Sequence, residues 1–406
     1  MRILAINTSN YGSTGKVMLH LRSLALVDPS VDYDVAYASS RSNRGVVVEN
    51  SHPIGNRVER NAHILLAAIT GLNGCFSFWG TWRLLRKIKK NPPDVIHLHN
   101  LHARYINIPL LFRYIKKKKI RVIWTFHDCW PFTGHCPHFD MIGCEKWKVQ
   151  CFKCAQYRAY PASYVDNSRY MYRLKRKWFT GVEDMTIVTP SVWLSELVKQ
   201  SFLKEYPVRV IHNGIDLSVF NPAESDFRER YALQEKHIIL GVAAGWGERK
   251  GLDVFLEIAK RLPEEYRIVL VGTTEDIDLL LPENIISIHR TQDQNELAQI
   301  YSAADLFVNP TREENFPTVN MEALACGTPV LTFRTGGSPE IIDDTCGMAV
   351  EKNDIEALLR ECVRICKTAP FSKEACRERA KAFDKDKCFS QYIALYHERI
   401  GAEGES

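Results

Sequence analysis

The chain has 406 residues, of which 45% are hydrophobic and 25% charged, and Lys plus Arg exceed Asp plus Glu by 53 − 48 = 5. Such a length divides into about two domains, and the composition excludes a fibrous or low-complexity chain, with disorder expected only from Gly401 to Ser406. So mild a positive balance fits an anionic ligand or a membrane surface and does not call for nucleic acid.

The first residues run straight into the apolar stretch Ile3 to Ile6, without the charged, apolar and small-residue succession of a signal peptide. The longest apolar run, Ile64 to Leu72, is about half of the ~20 residues a membrane helix needs. A cytoplasmic protein is expected. Asn7 to Lys16 reads NTSNYGSTGK and imitates a nucleotide-triphosphate loop, but Asn10 and Val17 stand where that loop needs Gly and Ser or Thr. The apolar spacing of Val17, Met18, Leu21, Leu24 and Ala25 predicts a strand, a glycine turn and a helix. Backbone N–H groups at such a turn face an anion.

Further β-branched runs occur at Val95–Leu98, Val122–Phe126, Thr186–Val188 and Val208–Ile211, and a second series at Ile238–Val242, Ile268–Val271, Ile285–Ile288, Leu306–Val308 and Val330–Phe333. Strands alternating with helical patterns predict two α/β domains with parallel sheets. The Asn-Gly turn at Asn213-Gly214 sets the boundary, giving domains 1–214 and 215–385. From 386 to 406, Phe389, Tyr392, Ile393, Leu395 and Tyr396 predict an amphipathic helix packing back on the first domain.

Between these runs lie residues with chemistry to offer. Phe76, Phe78, Trp79 and Trp82 precede Arg83, Arg86, Lys87, Lys89 and Lys90, and a second basic run is Lys116 to Lys119. Aromatics beside clustered cations predict weak, salt-sensitive attachment to the inner face of a membrane; the alternative is a core-facing helix with a solvated end. His97, His99 and His102 end one strand, and His127-Asp128 end the next, where open α/β sheets place ligands. The three histidines of the first group make a poor metal triad if alternate strand residues face opposite sides. Cys136, Cys144, Cys151 and Cys154 stand as C-x7-C-x6-C-x2-C in an insertion at about 129–156, a spacing that suits a structural tetrahedral zinc. Cys129, His135 and His138 are possible substitute ligands, while Cys326 and Cys362 read as core.

The richest window runs from Asn309 to Pro329: a strand end, a loop with Glu313 and Glu314, Pro317 at a first-turn position, Glu322 in the second turn, and Gly327 to stop the helix. Helix-opening N–H groups at Thr318 and Val319 favour a phosphate. Carboxylates flanking such a pocket accept from the hydroxyls of a sugar or ribose; the alternative is an acidic turn that merely complements the helix dipole.

Glu314-x7-Glu322 followed by Ala-Leu-Ala-Cys-Gly-Thr-Pro resembles the signature of glycosyltransferase family 4. The likeness extends to Ile211-His212-Asn213-Gly214-Ile215-Asp216, Lys250-Gly251, Tyr301-Ser302-Ala303-Ala304-Asp305 and Thr335-Gly336-Gly337-Ser338-Pro339-Glu340. It implies a GT-B fold, two Rossmann-like domains facing across a cleft, and retaining transfer from a nucleotide diphosphate sugar to a glycan acceptor, lipid-linked in some settings, in cell-surface polysaccharide synthesis. No catalytic cofactor is implied. By position, Glu314 would bind donor-sugar hydroxyls and Glu322 the ribose, with the backbone of Asn315, Phe316, Pro317, Thr318 and Val319 supporting sugar and diphosphate. Lys250 would neutralise the departing diphosphate, His127 would lie by the reactive sugar carbon, and Asp128 would orient the His127 ring or, like His99, stand on the acceptor side. Gly12 and Gly15 would let the first loop approach the donor or acceptor. One departure stands out: Gly245 occupies the place of an arginine five residues before Lys250, leaving Arg249 as the candidate replacement. Competing readings are an epimerase or phosphorylase of the same architecture, and a zinc-containing nucleotide-sugar-binding protein that has lost catalysis.

Overall fold

The computed structural model describes residues 1–40, 43 and 48–398; Gly401 to Ser406, expected to be disordered, lie outside the described residues. Contacts gather the chain into two units, Met1–Ile211 joined by the chain from Phe389 onward, and His212–Cys388.

In the first unit the elements are β1 (Arg2–Asn7), α1 (Gly12–Ala25), β2 (Asp32–Ala38), β3 (Ser51–Ile54), α2 (Arg57–Thr70), α3 (Phe78–Ile88) and β4 (Val95–Leu98). Then come α4 (Ile108–Lys118), β5 (Arg121–Thr125), α5 (Ser168–Phe179), β6 (Met185–Thr189), α6 (Val192–Lys199) and β7 (Val208–Val210). The strands form one sheet in the order β3-β2-β1-β4-β5-β6-β7, parallel throughout. The second unit carries β8 (His237–Val242), β9 (Tyr266–Val271), β10 (Ile285–Ile288), β11 (Leu306–Asn309), β12 (Val330–Phe333) and β13 (Gly347–Val350). Its order, β10-β9-β8-β11-β12-β13, repeats the same winding in parallel pairs. Helices cover both faces, so β4 and β11 are buried along their whole length and read as apolar runs with little alternation.

Each sheet reverses its winding beside its first strand, at β1/β4 and at β8/β11. Chains leaving these neighbours go to opposite faces, and the crevice beyond their carboxyl ends is where such sheets hold ligands.

Three strands lack the expected apolar signature. β2 (DYDVAYA) mixes carboxylates and tyrosines, with Asp34 taken up by Arg2 and His52; β3 contains Pro53 and β13 opens on Gly347. The boundary between units falls at Ile211, ahead of the Asn-Gly turn rather than after it. Ile215 N donates to Phe383 O at 2.9 Å and Lys385 N to Ile215 O at 3.0 Å, tying that turn to the second unit. The last helix, Lys385–His397, reaches the first unit from Phe389 on. There Arg121 donates to Leu395 O (2.9 Å) and Tyr396 O (3.0 Å), and the Tyr396 hydroxyl lies 2.7 Å from His97 Nδ1.

Candidate active site

The loops that leave β8 and β11, the two strands flanking the switch point of the second sheet, bring Lys250 and Glu314 together. Lys250 Nζ donates to Glu314 Oε2 at 2.5 Å, with both side chains about four-fifths buried. Burial pushes the Glu314 carboxyl up, but the Lys250 ammonium and a 3.2 Å hydrogen bond from Asn315 N outweigh it and leave its pKa below the ordinary value. Two glycines let the loops meet. A Cβ on Gly251, at φ +77°, would fall 2.5 Å from Pro310 O, and one on Gly336, at φ +55°, would fall 1.8 Å from Glu314 O.

Arg312, which carries no motif signal, locks this arrangement. Its guanidinium takes both Asp253 oxygens at 2.7 and 2.6 Å, the Glu248 carbonyl at 2.5 Å and Asn353 Oδ1 at 2.7 Å, and it is 8% exposed. A bidentate pair of this geometry fixes the turn Glu248–Lys250 against the β11 loop. A charged residue in a polar loop reads as solvated, so only its burial reveals the role. Arg249 directs Nη1 to Glu313 O at 3.4 Å. Gly245 is exposed at φ +133°, with nothing within 4 Å of a Cβ, so the place of the family's arginine is open space.

Beyond Glu314, Asn315 O accepts from Gly337 N at 2.8 Å, and Phe316 is buried in a stack on His212 at 4.7 Å between ring centres. The helix runs Thr318–Ala325, so Pro317 is its cap rather than its first turn, and Gly327 follows its end at φ +83°. With no side-chain cap, the N–H groups of Thr318 and Val319 have no carbonyl of their own helix to reach. Glu322, one turn on, accepts from the hydroxyl of buried Tyr301 at 3.2 Å, which leaves its carboxylate oriented.

The corresponding crevice of the first unit is lined by imidazoles. His99 Nδ1 lies 3.1 Å from His127 Nε2, with the rings stacked at 16°, and the His97 ring lies 4.2 Å from that of His99 between ring centres. His97 and His99 therefore share a face. The expectation of opposite faces fails because residues two apart in a strand point the same way. Burial depresses all three, His97 to about 3, His127 to about 4 and His99 well below the ordinary value, so the row is uncharged at neutral pH. Asp128 does not turn to this row with its carboxylate: Oδ2 takes His102 Nε2 at 2.8 Å and Oδ1 accepts from Trp130 N at 2.8 Å. Burial opposes ionisation of Asp128, but His102 and these hydrogen bonds hold it at about 2. Gly12 opens α1 at φ +69° with free space beside it, whereas Gly15 is packed on its own loop, a Cβ there meeting the Asn10 carbonyl carbon at 2.7 Å. Gly15 thus shapes the turn.

The four cysteines of the insertion are thiols, with Cys136 and Cys151 buried and Cys144 and Cys154 partly exposed. Cys136 is hydrogen-bonded to Cys154, raising its own pKa and lowering that of its partner. Cys151 Sγ accepts from Gly134 N at 3.2 Å. Among the described residues no three His, Cys, Asp or Glu side chains are grouped as a metal ion requires, and zinc at the four thiols stands as a proposal. Aromatic packing holds the insertion, with Trp147 5.0 Å from Phe139 and 5.1 Å from Phe132 between ring centres. Fully buried Lys175 of α5 adds to it, its Nζ donating to Trp130 O at 2.7 Å and Thr133 O at 3.1 Å.

Comparison with known proteins decides the class of enzyme. Residues 35–219 match the model of Glycosyltransferase Family 4, and residues 236–368 that of Glycosyl transferases group 1. The chain is a glycosyltransferase whose first part matches family 4. It is 24% identical over 316 residues to WcaC of Escherichia coli K12, a colanic acid biosynthesis glycosyl transferase by its assigned name, across 75% of this chain and 76% of WcaC. Its fold matches sucrose-phosphate synthase from Thermosynechococcus elongatus with a TM-score of 0.69, over 97% of this chain and 98% of that one at 19% identity. HepE of Anabaena in complex with UDP-glucose gives 0.66 over 98% and 99% at 12% identity. The fold is GT-B. To a glycosyltransferase the second unit offers one ammonium, two carboxylates and a helix N-terminus in adjacent loops.

Proposed function

We propose that this glycosyltransferase moves a hexose-type unit, with retention of configuration, from a nucleotide diphosphate sugar to a glycan hydroxyl in cell-surface polysaccharide assembly. The observation that carries the reading is the Lys250–Glu314 pair at the β8/β11 switch point, beside the opening of the Thr318–Ala325 helix. Lys250 and Glu314 satisfy each other without ligand. With the donor present, the ammonium turns to the diphosphate and the carboxylate to sugar hydroxyls, while Glu322 takes the ribose.

In the transfer, the bond from the anomeric carbon to the diphosphate oxygen breaks as the acceptor oxygen bonds that carbon from the same face, and the acceptor proton passes to the leaving phosphate oxygen. Lys250 stabilises the charge that grows there. In the first unit His127, kept neutral and held by His99, positions the sugar carbon, and His99 and Asp128 stand on the acceptor side. Support for the donor class comes from HepE, whose structures hold UDP and UDP-glucose. The name of WcaC supports the setting, in which a lipid-linked acceptor would be met by peripheral contact at the inner face of the membrane. No described helix is long and apolar enough to cross one.

The test is a thermal-shift and turnover screen of nucleotide sugars, UDP-sugars first, with acceptor extracts, and the anomeric configuration of the product read by NMR. Acceptor-dependent turnover with retention is expected. Isomerised free nucleotide sugar would establish the epimerase instead, and binding without consumption under any acceptor would establish a protein that has lost catalysis.

A further inference from the structure

We propose that the outer face of α2 together with the first turns of α3 is the surface by which this protein inserts into an anionic lipid bilayer. The proposal rests on the membrane contact of the transferase reading, deepens it and names the residues that make it.

Helix α2 is turned inside out. Val58, Ala62, Leu65, Leu66 and Ile69 succeed one another at helical spacing along a single stripe, and that stripe faces outward: Val58 is 78% exposed, Leu65 58% and Ile69 51%. The side facing the unit carries His63, fully buried, its Nδ1 2.7 Å from Ser77 Oγ. A helix on an ordinary surface does the opposite, turning aliphatic side chains to the core and polar ones to water. Burial of this stripe in another phase removes a cost that water imposes on each residue.

Helix α3 extends the face. Its inner side packs in the usual way through Leu84, Leu85 and Ile88, while Phe78 (48%), Trp79 (63%) and Trp82 (39%) project outward in mutual edge contact. The next turns present cations, with Arg86 5.3 Å from the centre of the Trp82 ring and Arg83, Lys89 and Lys90 exposed; α3 contains no acidic residue. The two helices are tied to each other, since Glu59 accepts from Gly80 N at 3.0 Å and a Cβ on Gly80 would meet Gly55 N at 2.5 Å. At the far end of α2, Tyr164 N donates to Ala68 O at 2.8 Å, and Tyr164 and Val165 continue the exposed apolar surface.

Aliphatics flanked by tryptophans and then by cations match the layers of a bilayer surface: acyl chain, interface, anionic headgroup. The charge commits the face to anionic lipid. Of the other basic run, Lys116 already donates to Lys177 O and Lys119 pairs with Glu183, so it belongs to the local structure.

The full-length protein is sedimented with phosphatidylglycerol-containing and with pure phosphatidylcholine vesicles at low and high salt. Wild type is expected to partition at least tenfold more strongly to the anionic vesicles. Leu65→Ser with Ile69→Ser, and separately Trp79→Ser with Trp82→Ser, are expected to lower that partition tenfold or more. Lys117→Ser with Lys118→Ser is expected to keep most of it. Because the changed side chains are exposed, melting temperature and the thermal shift given by UDP-sugars should stay at wild-type values. That second readout separates failure of the docking surface from failure of the transferase reading. Equal partition of the α2 variant and wild type would overturn the proposal, as would absence of wild-type binding. So would a wild-type dimer that becomes monomeric in the α2 variant, since the face would then belong to a second copy.

Discussion

The two Rossmann-like units wind their strands in the same order and reverse at equivalent places, yet they put opposite kinds of chemistry at those places. At β1/β4 the crevice holds a row of neutral imidazoles, His97 and His99 buried and His127 partly exposed. At β8/β11 it holds ion pairs, Lys250 with Glu314 and Arg312 with Asp253. The fold decides where loops emerge, and the side chains decide what a crevice can bind. Charges that a diphosphate can recruit belong to the second unit. A donor-acceptor row without net charge suits hydroxyl-bearing partners in the first.

The largest effect that would test this division is on Lys250. Lys250→Ala is expected to lower turnover at saturating donor by roughly 10²–10³-fold, as loss of one group facing a developing anion does, with a smaller change in donor affinity. An unchanged rate would break the assignment of charge chemistry to the second unit. Glu314→Gln should cost about 1.5–3 kcal/mol of donor binding or transition-state stabilisation, roughly ten- to a hundredfold. Arg312→Gln comes next: it touches no ligand but frees the turn that carries Lys250. About 1 kcal/mol of stability should be lost, limited because Asp253 is half exposed, and hydrogen exchange should rise in Glu248–Lys250 and in the β11 loop while the first unit keeps its protection.

Acid should act in the reverse sense. Burial holds His97 at about 3 and His127 at about 4, against ~6.5 for an unfolded histidine. Between about pH 4 and 6.5 the unfolded chain therefore binds protons that the folded unit refuses. Stability from these groups rises with pH through that window and is complete above it. Asp128, held at about 2, adds stability that is lost as pH falls from ~3.9 toward that value. Glu314 in the second unit is depressed as well, so its contribution is lost only below the ordinary carboxylate range. Hydrogen exchange at pH 7.5 and 5.5, resolved by peptide, should show the first unit losing protection before the second. Equal loss in both would remove the contrast.

Much of the second unit was legible in the sequence because its site is made of loop chemistry at fixed spacing. The window from Asn309 to Pro329 announces a strand end and a helix start, while Gly251 and Gly336 entered only with the family likeness, and their close backbone approach emerged in the structure. Arg312 escaped because its partner, Asp253, is distant in sequence and nothing local marks a buried guanidinium. In the first unit the strand-end histidines could be read, but their mutual pairing could not, because it depends on β4 lying beside β5 with Leu98 opposite Trp124. β2 and β3 were hidden by polar residues that the structure satisfies locally. The aromatic and basic composition of α3 was readable, whereas the reversed face of α2 was not: an aliphatic stripe has the same spacing whether it points to core or to solvent.

The smallest effect concerns the insertion, and it asks whether the first unit needs a staple that the second does without. Four thiols within one loop are a donor set that zinc takes, and we carry zinc at Cys136, Cys144, Cys151 and Cys154 as a proposal resting on that set. The aromatic packing of Phe132, Phe139 and Trp147 holds the loop with the cysteines as free thiols. A metal would therefore tighten an already folded segment and add modestly to its stability. Elemental analysis of tag-free protein should find about one zinc per chain, and Cys151→Ser should lower the melting temperature of the first unit by a few degrees while leaving donor affinity unchanged. Protein free of zinc whose Cys151→Ser variant melts with wild type would remove the staple and leave the loop to the aromatics and Lys175.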